Sequence, residues 1–183
     1  MKPSNLVMAM LAAAGLCLAG GAQAQAMSKD ARDMAIKNAE SQYKMDKASC
    51  DALSGNAKDI CVEEAKGKEK VAKADAEAAF QNTPKARENA REARADANYA
   101  VAKEKCDDLA GNAKDVCVKD AKAAHTRAKV DAKANQKVSE VRKDATQDKR
   151  DASYAASKER CDALAGDAKT QCINEAKARF GKS

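Results

Sequence analysis

Tryptophan is absent from this chain of 183 residues, which has two prolines, one histidine, three tyrosines and two phenylalanines. So few aromatic rings exclude the stacking platforms that hold single-stranded nucleic acid, and they remove the side chains that usually dominate a globular core. Large aliphatic residues are scarce too. Residues 25 to 183 hold only sixteen Leu, Ile, Val and Phe residues, about a tenth of that stretch, whereas globular burial becomes doubtful below roughly 20 %. The chain has no Gly-rich phosphate loop, Gly-x-Ser-x-Gly elbow or His-Glu-x-x-His pair. His125 stands alone and reads as a solvated helix position, not as a metal ligand or catalytic base. An enzyme is therefore not expected, and no catalytic, cofactor or metal site is assigned.

What remains is alanine and charge. The 44 % hydrophobic content is mostly alanine, and 34 basic residues are interspersed with 28 acidic ones for a net charge of +6. Ala, Lys, Glu and Arg are among the strongest helix formers, so this composition predicts long exposed helices in place of disorder. Charge ladders around Lys44, Lys47 and Asp51, and around Glu104, Lys105 and Asp108, add tenths of a kcal/mol per favourable pair. The mixed signs read as a solvated surface with no basic stripe, so nucleic acid is not an expected partner.

The first residues read as a secretory signal. Lys2 precedes an apolar run from Leu6 to Ala19, and Ala22-Gln23-Ala24 is a small-x-small cleavage site, with cutting expected after Ala24 or Ala26. The run is shorter than the roughly 20 residues a spanning helix needs, and no second candidate follows it. Cys17 is preceded by the bulky Leu16, which argues against lipid attachment. A cleaved, exported chain is expected in the periplasm with 33 basic and 28 acidic residues.

Export gives the remaining cysteines their meaning. The segment from Cys50 to Cys61 returns from Cys106 to Cys117 and from Cys161 to Cys172, each with two cysteines eleven positions apart and Gly-Asn or Gly-Asp at the midpoint. Zinc sites usually place ligands two to four residues apart, so in an oxidising space these pairs predict disulfides. Six cysteines allow 15 connectivities, and geometry has to choose among them. In one straight helix the two sulfurs of a copy would lie about 16 Å apart, beyond bonding reach. If Gly55, Gly111 and Gly166 end one helix in the left-handed cap position, and Asn56, Asn112 and Asp167 cap the next, two antiparallel helices bring each pair together. Closing a ring of that size contributes on the order of 2 to 3 kcal/mol.

Further matches suggest the buried face. Tyr43, Tyr99 and Tyr154 stand seven residues before each first cysteine, and Leu53, Leu109 and Leu164 three after it. These are helix-face spacings, and Ile60, Val116, Ala65, Ala121 and Ala176 continue the stripe beyond the turn. Gly67 and the step Asn82-Thr83-Pro84 predict helix breaks, with Thr83 as cap and Pro84 in the first turn. No Gly or Pro occurs from Asn112 to Ala165, so one helix of up to about 80 Å is allowed there, with a weaker break at Asn135-Gln136 or Ser139. The expected fold is all-α: three disulfide-stapled helical hairpins joined by long Ala/Lys/Glu-rich helices, elongated or loosely packed. The expected units are the signal at 1–24 and repeats at 25–82, 83–138 and 139–183.

The arms from Lys66 to Ala79 and Ala121 to Lys137 resemble, in composition only, the helical stalk of the TolA envelope protein. The cysteine unit is similar to the stapled hairpins of twin Cys-x9-Cys proteins, with one pair per hairpin instead of two and a spacing of ten. The whole chain looks most like small exported proteobacterial proteins, a resemblance that implies no established activity. The functional expectation is a non-enzymatic structural, scaffold or interaction protein of the cell envelope, partnered by an envelope protein or by itself. The alternative is a small binding or stress-protection module for anionic ligands or unfolded clients, since the net charge permits weak contact with anionic envelope polymers. A redox role is a weaker third reading, because no Cys-x-x-Cys motif is present.

Overall fold

The computed structural model describes residues 26–182. The signal segment, Cys17 and the cleavage site at Ala24 lie outside the described residues. Five helices follow one another: α1 (Lys29–Ser49), α2 (Gly55–Gln81), α3 (Pro84–Cys106), α4 (Gly111–Cys161) and α5 (Gly166–Phe180). A single 3-10 turn, Cys50–Ala52, joins α1 to the loop before α2, and no strand occurs among the described residues.

Local chemistry sets the ends. The Ser28 hydroxyl accepts from the Ala31 amide at 3.2 Å to start α1, and the Thr83 hydroxyl accepts from the Ala86 amide at 3.1 Å, with Pro84 at the first helical position of α3. Asn82, at φ 48°, closes α2 in the left-handed region. Gly181, at φ 62°, does the same for α5, and the Lys182 amide then donates to the Lys177 carbonyl at 2.9 Å.

Each helix packs only on its neighbours in sequence, α1 on α2, α2 on α3, α3 on α4 and α4 on α5. The result is an open zigzag, not a closed bundle. Its seams are lined by alanine: Ala39, Ala65, Ala76, Ala78, Ala86, Ala90, Ala95, Ala132 and Ala176 are buried, whereas none of the leucines, isoleucines, valines or phenylalanines among the described residues is. Small side chains let helix axes come close, which recovers dispersion contact without large apolar groups.

Several expectations are corrected. Gly67 does not break α2. It is buried within the helix, and a Cβ placed there would lie 3.0 Å from the Ala97 Cβ, so glycine serves the close approach of α2 to α3. α4 runs unbroken through Asn135, Gln136 and Ser139 for 51 residues, about 76 Å at 1.5 Å per residue. The anticipated stripe also changes. Leu53, Leu109 and Leu164 are 44 %, 43 % and 44 % exposed and Val116 is 48 % exposed, because the chain leaves the helix after each first cysteine and swings the leucine outward. In place of the Lys44 and Glu104 ladders, ion pairs cross the seams, as in Lys73–Glu40 at 2.9 Å and Arg94–Asp75 at 2.8 Å.

Register follows from the staples. α3 is much shorter than α4, so counting back from Cys106 it runs out near residue 139 of α4, while α5 reaches only as far as Asp151, which pairs with Lys182 at 2.6 Å. All of residues 141–150 are exposed between them.

Replacing Gly67 with leucine should force α2 from α3 and cost about 1 to 3 kcal/mol, the usual range for overpacking. Thermal unfolding of Gly67→Leu checks this, and adding Ala97→Gly should restore part of the loss.

Candidate functional site

The most built feature is the stapled turn, made three times. Disulfides join Cys50 to Cys61, Cys106 to Cys117 and Cys161 to Cys172, with Cα atoms 5.7 Å apart in every case. The first cysteine of each pair is fully buried, whereas Cys61 and Cys117 are half-buried and Cys172 is likewise only partly covered. After each first cysteine the chain makes one tight turn, in which the Leu53, Leu109 and Leu164 amides donate to the Cys50, Cys106 and Cys161 carbonyls at 3.0, 3.1 and 3.0 Å.

Gly55, Gly111 and Gly166 lie in the left-handed region at φ 56°, 55° and 55°. They stand at the first position of the outgoing helix, not at the end of the incoming one. The residues before them, Ser54, Ala110 and Ala165, are extended and cap without a side-chain hydrogen bond. Asn56, Asn112 and Asp167 therefore sit inside the outgoing helices and do not occupy the N-cap position. The side chain of Asn56 bonds outside its own hairpin instead, its amide donating to the Glu104 carbonyl at 2.9 Å and tying the start of α2 to the last turn of α3. The first two stapled turns are thus neighbours at one end of the zigzag, and the third lies at the far end of α4.

A second clamp repeats with the first. Lys58 pairs with Asp51 at 2.9 Å, Lys114 with Asp107 at 2.8 Å and Lys169 with Asp162 at 2.8 Å, so each disulfide is accompanied by an ion pair across the same turn. The signal lay in the sequence, since Asp follows every first cysteine and Lys stands eight positions after it. The hydrogen bond from Lys114 and its charge hold the Asp107 carboxyl below its ordinary value, and Lys169 does the same for Asp162. Asp107 raises Lys114 in return.

Two of the tyrosines meet the ring eight residues past the second cysteine, and the third shares a cavity with the residue at that place. Tyr99 stacks on His125 with ring centres 4.8 Å apart, Tyr154 meets Phe180 edge-on at 6.4 Å, and Tyr43 lines a 120 Å³ cavity with Glu69. His125 is consequently no solvated position: its side chain is 21 % exposed and its Nε2 bonds to Asp96. Burial pushes the Asp96 carboxyl up, but the His125 hydrogen bond and the Lys129 charge, at 3.5 Å, together hold it below its usual range.

A concavity of about 620 Å³ forms an open groove between α2 and α3. Gly67, Val71 and Val101 form part of its lining, with Lys68, Arg94 and Lys105 around it. These cations pair with Asp46 at 3.6 Å, Asp75 at 2.8 Å and Glu64 at 3.6 Å. Among the described residues no group of three or more His, Cys, Asp or Glu gathers as a metal site, and no helix is long and apolar enough to cross a membrane. The stapled turns act mechanically: they fix pairs of helices at one end.

A carboxylate whose pKa is depressed in the folded state adds stability above its unfolded pKa, near 3.9, and loses it as pH falls through the folded value. The Asp107→Asn, Asp162→Asn variant should therefore lose less thermal stability than the parent between pH 4 and pH 2, as measured by melting at each pH, by the same small margin that favours the parent at pH 7, small because these groups are largely exposed. No family model matches the chain, no curated protein matches it, and no solved structure matches its fold.

Proposed function

We propose that this chain is a non-enzymatic spacer and scaffold of the bacterial cell envelope, exported to the periplasm. The observation that carries this reading is the arrangement of the clamps: two stapled turns lie together at one end and a third lies beyond them, with the 51 residues of α4 as the connecting strut. Disulfides persist outside the reducing cytoplasm, which fits an exported protein. Each turn carries an outward leucine, so the two ends present the same apolar knob on a fixed backbone. The partner is an envelope protein or another copy of the chain.

A strut of this length gives a radius of gyration above roughly 20 Å, against about 15 Å for a compact globule of the same size. Small-angle scattering of the oxidised mature chain measures it, and a value near 15 Å rules the spacer out. A photo-crosslinking residue at Leu53, Leu109 or Leu164 in living cells should capture envelope proteins or the chain itself, and capture at none of the three would count against a scaffold.

The groove between α2 and α3 favours a second reading, a binding module for anionic amphiphiles or unfolded clients. Its apolar floor suits an apolar body, and a negative end would be taken by Lys68 and Lys105 in exchange for their Asp46 and Glu64 partners at 3.6 Å. Titration with an anionic detergent below its micelle concentration at low salt tests this, with Val71→Glu expected to abolish binding. Equal binding by the parent and Val71→Glu removes the groove from consideration.

A further inference from the structure

We infer that the face of α4 turned away from α3 and α5 is a self-association surface, covered in solution by the same face of a second copy. The faces follow from counting at 3.6 residues per turn. His125, Ala132, Tyr154 and Cys161, which are buried or half-buried against α3 or α5, lie within about a fifth of a turn of one line along α4. Ala134 stands two and a half turns from His125, on the opposite side, and Val116, Val130, Val138 and Val141 cluster around the same line.

These valines are 48 %, 61 %, 48 % and 66 % exposed, and they are four of the nine large hydrophobic residues left exposed among the described residues. Scattered single exposures are ordinary on a monomer, but four aligned on one helix are not scattered. Between them the exposed alanines Ala123, Ala134, Ala145 and Ala156 recur every eleven residues, and Val130, Val141 and Ala152 share the same interval. Eleven residues make slightly more than three full turns of a straight helix, so this stripe drifts only slowly around the strut, with Arg127 and Glu159 as the charged residues within it. No contact between helices of the chain covers it.

Charge on either side of the stripe identifies the occupant. One flank carries Lys119, Lys133 and Lys137 and then Asp144, Asp148 and Asp151. The other carries Asp120 and Asp131 and then Arg142 and Lys149. Laid against itself in either direction, each basic stretch faces an acidic one, so the surface is complementary to its own copy. Interfaces use such complementarity to fix partner and register. The inference rests on α4 alone and stands or falls separately from the spacer reading.

Sedimentation equilibrium of the oxidised mature chain across a concentration series tests it, with the parent compared to Val130→Ser, Val141→Ser. Both positions are exposed in the single chain, so the variant should keep the parent's helicity and disulfides, checked by circular dichroism and thiol titration. The expected result is a parent dimer, and a variant dissociation constant raised at least about tenfold, in line with the loss of two buried valine side chains. The parent dimer should also weaken as salt rises. A parent that stays monomeric at millimolar concentration overturns the inference, and so does a dimer that the two substitutions leave unchanged.

Discussion

Three of the four helix pairs in this molecule are held by a covalent bond at the turn between them, and only α2 and α3, which turn at Asn82-Thr83-Pro84, lack one. A short turn between two helices leaves amides and carbonyls without helical partners, and here three of the four helix starts that follow a turn have no side-chain cap. The disulfide closes that end, the Asp–Lys pair crosses the same turn, and together they set which residue of one helix faces which residue of the next. Everything farther along the hairpins inherits that register: the Tyr99–His125 stack, the Tyr154–Phe180 contact and the reach of α3 and α5 along α4.

The constraint matters because the seams are built from alanine. A buried methyl group gives up little area, so helix pairs of this kind gain little from the hydrophobic effect per residue. They gain instead from closeness, which is why Gly67 is needed opposite Ala97 and why ion pairs such as Arg32–Glu77 and Lys105–Glu64 can span the seams. An open zigzag also follows. With no large apolar side chains to gather around one centre, α1 has nothing to bury against α3, and α2 nothing to bury against α4. α4 then extends past the end of α3 as a helix supported by its own propensity and by local bonds such as Gln147 to Asp151.

The sequence made the cysteine pairing legible because the repeat aligned three times, and the helix break at Asn82-Thr83-Pro84 was legible because all three residues carry strong local preferences. Periodicity misled where the chain left the helix. Leu53, Leu109 and Leu164 lie at helix-face spacing from their cysteines, yet the turn begins before that spacing applies. Gly67 was misread because an isolated glycine looks alike whether it breaks a helix or lets another helix approach. The pairs Asp51–Lys58, Asp107–Lys114 and Asp162–Lys169 were visible in the repeat but were hidden among so many other charges. His125 looked solitary because its equivalents, Glu69 and Phe180, share its position and not its chemistry. The tie from Asn56 to Glu104 depends on how two hairpins sit side by side, which no local pattern encodes.

The central claim is that the staples, more than the core, keep this fold together. Urea unfolding of the oxidised chain and of the reduced, alkylated chain, followed by helical circular dichroism, measures this directly. With each staple worth about 2 to 3 kcal/mol, the reduced chain should unfold at a far lower urea midpoint or show no cooperative transition. A midpoint unchanged by reduction would contradict the account.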